Sequence, residues 1–145
     1  MPFFEYSQNN SFGQFDYRPD EGIAPFVVVE AEHADYADWR ALQIGLYFDG
    51  TENGGPDCPC CGDRWVRANN YWSADKGESE PSCYGVPLGG TKTYPATKYS
   101  RAQTAEDHHV KGPNPDPGPY DREYDLFVHY LDGRVEGWHN PGGSR

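Results

Sequence analysis

A chain of 145 residues suits one domain, which on folding removes roughly two-thirds of its unfolded surface from water. Aromatic residues make up 15% of it, with 11 Tyr and 4 Trp, and that content excludes wholesale disorder despite 17 Gly and 13 Pro. A formal charge of −11 repels phosphate backbones and argues against nucleic-acid binding, and no run of about 18 apolar residues is present to span a membrane.

Phe3-Phe4-Glu5-Tyr6 predicts a short strand, closed by the turn-prone SQNNSFG stretch at 7–13. Gln14 to Tyr17 alternates polar and apolar residues, as the return strand of a hairpin would, and RPDEG at 18–22 is a second turn. Phe26-Val27-Val28-Val29-Glu30 is β-branched and apolar, the composition of a central strand. Ala34, Ala37, Ala41, Leu42 and Ile44 then share one face at helical spacing, with Asp35, Asp38 and Arg40 elsewhere, so a helix is expected over 34–44. Asp35 is placed either as its N-cap or as an acidic first-turn residue, and Gly45 as the residue that ends it. Leu46-Tyr47-Phe48 reads as a further strand, completing a strand–helix–strand unit. Tyr36 and Trp39 lie off the packed helix face and either cover another part of the fold or form an exposed aromatic spot.

Arg64 to Arg67 suggests another short strand. Residues 75–121 read as a Pro/Gly-rich irregular segment, holding a second candidate helix at 97–109 and a polyproline-like connector at 112–121. Residues 123–130 and 134–138 flank Leu131-Asp132-Gly133, whose Asp-Gly pair predicts a hairpin. Residues 139–145 are expected to fray. The expectation is one α+β domain over 1–145, with a mainly antiparallel sheet and one principal helix. The N-terminal stretch has neither the basic nor the apolar region of a signal peptide, which implies a cytosolic setting.

Three of the four cysteines fall in DCPCCGDRW, residues 57–65. Cys58 and Cys61 have the spacing of a C-P-x-C-G knuckle, in which two thiolates converge on one metal and the glycine permits a left-handed backbone. No second C-x-x-C follows. The remaining ligands for a structural zinc would come from Cys60, Cys83 and the histidines His33, His108, His109, His129 and His139. Two other readings stay open: reduced thiols packed as small hydrophobes, and a redox or nucleophilic thiol, for which Asp63 and Arg64 are adjacent but no histidine is. The Asn9-Asn10-Ser11 turn offers amides and carboxamides, as a phosphate-binding loop or an ordinary Asx-turn would.

The stretches YSQNNSFGQFD, VVVEAEHADYADWRALQIGLYFDG, DCPCCGDRW and VHYLDGRVEGW together resemble a family of small proteins encoded by tailed bacteriophages. The resemblance is strongest over 3–67 and weaker at 124–138. Cys58, Cys60, Cys61, Gly62, Arg64 and Trp65 fall on the family's CxCCGxRW turn, and Asn9, Asn10 and Ser11 on its N-terminal segment. Cys83 lies outside that pattern, which favours a histidine as the further ligand. The resemblance implies a phage origin and the cytoplasm of an infected bacterium, and it brings no reaction with it.

Three functions are consistent with these readings. The first is a non-enzymatic accessory protein, zinc-stapled, that binds a host or phage protein. The second is a small enzyme or nucleotide-binding protein whose site joins the QNNSFG loop to the CPCCGDRW turn, with Asn9, Asn10, Ser11, Arg64 and Trp65 as binding residues. The third is a virion component. A convergent pocket of Asn9, Asn10, Cys60 and Arg64 would favour the second, and a flat aromatic patch the first.

Overall fold

The computed structural model describes residues 2–69, 77–106, 108–117 and 122–141. In chain order the strands are β1 (Phe3–Ser7), β2 (Phe26–Glu30), β3 (Ser82–Cys83), β4 (Val86–Pro87), β5 (Thr91–Tyr94), β6 (Gln103–Glu106), β7 (Val110–Lys111), β8 (Leu126–His129) and β9 (Val135–His139). One helix, α1 (Ala34–Ile44), follows β2. The main sheet runs β1-β2-β8-β9-β7, and the pairs β3-β4 and β5-β6 form two small hairpins. Every pairing is antiparallel except β2 with β8, where Phe26 lies beside Leu126 and Val29 beside His129. This is the α+β domain that the sequence predicts, with its sheet mainly antiparallel.

The Val-rich run becomes the middle of the sheet because both its faces can be buried. Val27 and Val29 join Phe4, Tyr6, Trp65 and the alanines of α1 on one side. Phe26 and Val28 join Phe3, Leu126 and Val128 on the other, where Cys83 and Leu88 pack over them. Ala34, Ala37 and Ala41 are small enough to let α1 lie close to the sheet. Arg40 ties the helix to the sheet, donating to the carbonyls of Glu30, the last residue of β2, and Tyr130, the residue after β8.

Several expectations change in detail. His33 is the N-cap of α1, its Nδ1 accepting from the Tyr36 N–H at 3.2 Å, and Asp35 sits in the first turn. Gly45 ends the helix with φ at 125°. Leu42 faces solvent, whereas Asp38 is buried. Residues 46–48, 14–17 and 64–67 form no strand, because the two places beside β2 are already taken by β1 and β8. The backbone of Asp16 is held instead by both ends of the Gln8 carboxamide.

The second helix is also corrected. Thr97 to Ser100 closes a turn through the Thr97 hydroxyl, and Gln103–Glu106 pairs with β5. Tyr99 and Ala102 at helical spacing had no core to bury against; both are exposed. The 75–121 segment therefore carries two hairpins and β7, and the connector lies within the described residues only at 112–117. The hairpin around Asp132-Gly133 forms as expected, with Tyr130 N–H on the Arg134 carbonyl at 2.9 Å. The tail does not fray from 139: His139 is buried at the end of β9 with Nδ1 on the Gly112 carbonyl, while 142–145 lie outside the described residues.

His129 makes the fold sensitive to acid. Its Nε2 donates to the Gly22 carbonyl at 2.8 Å, and burial, reinforced by the Arg40 charge, holds its pKa below the ordinary histidine value. The unfolded chain therefore takes up a proton, near pH 6.5, that the native state resists. Stability is complete above that pH and falls as the pH drops below it. Urea titrations at pH 7 and pH 5 are expected to show this loss, and His129→Gln to flatten it.

Candidate metal centre

The cysteine turn is held from beneath by a buried carboxylate. Asp57 accepts from the Tyr47 hydroxyl at 2.7 Å and from the Arg64 N–H at 2.8 Å, and its N–H donates to the Gly50 carbonyl. The loop closes tightly here: a Cβ on Gly50 would lie 2.0 Å from Asp57 Oδ2. From this base the chain turns over, with the Cys61 and Gly62 N–H groups both on the Cys58 carbonyl at 3.2 Å and Gly62 at φ 92°.

The N-terminal loop docks on that turn. Buried Ser11 accepts the Cys58 N–H on Oγ at 2.7 Å, and the Asn9 carboxamide donates to the Cys61 carbonyl. The Asn9 N–H donates to the Arg64 carbonyl at 2.8 Å. Asn10 contributes its own carbonyl to Gly13 and leaves its side chain exposed. The two motifs singled out in the sequence thus meet in space.

The three sulfurs converge. Cys58, Cys60 and Cys61 place their Sγ atoms within 4.8 Å of one another, with Cys58 buried and the other two exposed. Cys58 and Cys60 are 3.0 Å apart. Sulfurs each about 2.3 Å from one zinc ion sit about 3.8 Å apart, so the turn needs only small side-chain movements to take a metal. A hydrogen bond from Cys60 lowers the Cys58 pKa to about 7, and the same bond raises that of Cys60 to about 11. One thiolate sharing the proton of its neighbour is the arrangement that a soft cation displaces.

Cys83 and His129 do not join this group. Cys83 packs on the opposite face of the sheet, and His129 lies beneath the Gly22 turn. His33 caps α1 and His139 holds Gly112, so among the described residues the cluster is three cysteines. Arg64 and Trp65 serve the fold. Arg64 donates to Tyr47, to Gln8 and to the carbonyls of Gln14 and Ser11, and faces Asp57 at 3.7 Å. Trp65 is a core residue whose indole N–H has no partner among the described residues. Sequence reasoning missed Gln8, Tyr47 and Asp57 as supports. Only the position of Asp57, directly before the cluster, hints at its role.

These features define a small α+β domain with a surface cysteine knuckle anchored by an N-terminal loop. Among the described residues no helix is long and apolar enough to cross a membrane. The chain belongs to the family described as Domain of unknown function (DUF7296), which matches it over residues 1–145. No curated protein and no solved structure matches it.

Proposed function

We propose that this is a phage-encoded accessory protein, working in the cytoplasm of an infected bacterium, that binds a host or phage protein and carries out no reaction. The observation that supports this reading is the outer face of α1. Tyr36 and Trp39 stack on each other there, ring centroids 5.5 Å apart and planes 13° apart, and are 38% and 53% exposed. Leu42 continues the stripe one turn on, and His33 packs edge-on against Tyr36. Rigid aromatic side chains left in water at helical spacing are the usual anchors of a protein interface. With Glu32 and Asp35 exposed beside them and a net charge of −11, the matching surface is a basic one.

In the same reading, Cys58, Cys60 and Cys61 hold a structural zinc that locks the N-terminal loop to the domain. The Arg64 network supports this over a catalytic or nucleotide site, because its donors are already engaged within the protein. Protein purified without added metal is expected to carry one zinc per chain, and Cys61→Ser to lose both the metal and thermal stability. Metal-free protein of equal stability would remove the zinc from the proposal. Trp39→Ala is expected to keep the fold and weaken capture of its partner from infected cells about thirtyfold, the loss typical of an aromatic anchor. Capture unaffected by Trp39→Ala would overturn the assignment of this face.

A further inference from the structure

On the sheet face opposite α1 lies a cavity of about 470 Å³, bounded by Phe15, Phe26 and Tyr84 on its apolar side and by Arg122 and His108 on its polar side. That volume is in the range of small-molecule sites, roughly 300–1,000 Å³. The Arg122 guanidinium lies over the Phe15 ring at 5.3 Å and the Tyr17 ring at 5.9 Å. Its side chain is only 24% exposed, yet it donates no hydrogen bond to any described residue. Its ion-pair partner among the described residues, Asp125, stands at 3.9 Å through Oδ1, while Oδ2 of that carboxylate accepts from the Asn140 N–H at 2.7 Å. A half-buried guanidinium paired only at 3.9 Å keeps donors that an oxyanion could take.

The opposite wall is the turn of the β3–β4 hairpin. Tyr84 and Gly85 have φ 52° and 79°, the two positive values that the two-residue turn between β3 and β4 requires, and the Tyr84 ring packs edge-on against Phe26 at 5.3 Å. The Gly85 N–H is anchored on Glu5, which fixes the turn that presents the ring.

We infer that this cavity binds a small organic oxyanion: an aromatic body carrying a carboxylate or a phosphate, its charge on Arg122 and its ring between Phe26, Tyr84 and Phe15. His108 adds a donor at the same rim. Glu106 and Asp125 also line the cavity; Glu106 is exposed, Asp125 accepts the Asn140 N–H, and the charge on the rest of the surface is screened beyond about 8 Å at physiological salt, so the half-buried guanidinium is the cation that a ligand this small meets.

The test uses the full chain labelled with nitrogen-15 and four probes: phenyl phosphate, 3-phenylpropionate, the neutral 3-phenylpropan-1-ol, and inorganic phosphate. The expected result is saturable shifts at the amides of Phe15, Tyr84 and His108 with an aromatic anion, at least tenfold weaker with the alcohol and with inorganic phosphate. A preference between the two aromatic anions identifies the head group. Arg122→Gln should weaken binding at least tenfold, and Trp39→Ala should leave it unchanged, which separates this site from the α1 face. Equal binding of the alcohol, unchanged binding in folded Arg122→Gln, or no saturable shift with either aromatic anion overturns the inference. Should Arg122→Gln not fold, the contrast between anions and alcohol on the native chain decides alone.

Discussion

Asp57→Ala is expected to destabilise the protein by about 3–5 kcal/mol, the loss typical when one member of a buried ion pair is removed. Asp57 has no exposed side-chain surface and the Arg64 side chain is only 11% exposed, so the guanidinium left behind has little water to replace its carboxylate. The Tyr47 hydroxyl and the Arg64 N–H lose their acceptor in the same step. Against a total stability of about 5–15 kcal/mol for a domain, such a loss is a large share. Tyr47→Phe removes two bonds, the one given to Asp57 and the one taken from Arg64, and leaves the ion pair, so about 2 kcal/mol is expected there. Because the cysteine turn rests on Asp57, the affinity of the three cysteines for added zinc should fall together with stability. Urea denaturation placing Asp57→Ala within 1 kcal/mol of the native chain would show that the carboxylate is no keystone.

Asp38→Ala is expected to lower the melting temperature by about 10 °C, on the basis of roughly 3 kcal/mol and 2–4 °C per kcal/mol in a domain of this size. Asp38 Oδ1 accepts from the Tyr6 hydroxyl at 2.6 Å and from the Ala68 N–H at 2.7 Å, and Oδ2 accepts from the Asn69 N–H at 3.1 Å. One side chain thus joins α1, β1 and the segment that follows Trp65. Asp38→Asn keeps the Oδ1 acceptor and turns a donor toward Asn69, so an intermediate loss is expected. Tyr6→Phe combined with Asp38→Ala should cost less than the sum of the single changes, because the second deletion removes a bond already broken. Additive losses, read by calorimetry, would deny the connection.

Local chemistry made part of this architecture legible. The run of valines, the alanine spacing of α1 and the Asp-Gly turn each state their own conformation within a few residues, and the structure follows them. Long-range choices were not legible. Nothing in Leu46-Tyr47-Phe48 says that β8 will take the place beside β2, since both segments are apolar and of similar length. Asp38 and Asp57 look like solvent-facing charges until the donors that neutralise them, brought in by tertiary folding, are in place. At the candidate site, sulfur spacing and a Gly after Cys61 were enough to predict the converging turn, and the amide-rich loop was enough to suggest its neighbour. Arg64 looked like a ligand-binding residue for the same reason it is a good clamp: five donors in a rigid fork serve either use. Arg122 carried no sequence signal at all, because its partners Phe15 and Tyr17 come from the other end of the chain.

The parallel pairing of β2 with β8 also has a consequence for synthesis. β1 and β2 leave the ribosome early, yet the strand that covers the second edge of β2 is made only after the entire middle of the chain. At about 5–20 residues per second, several seconds pass with Val27, Val28 and Val29 offering unpaired backbone along one side. An apolar, β-branched edge of that kind invites pairing with a second nascent chain. Efficient production of this protein should therefore depend on holding chaperones at the ribosome, and slowing translation between residues 30 and 126 should raise the aggregated fraction.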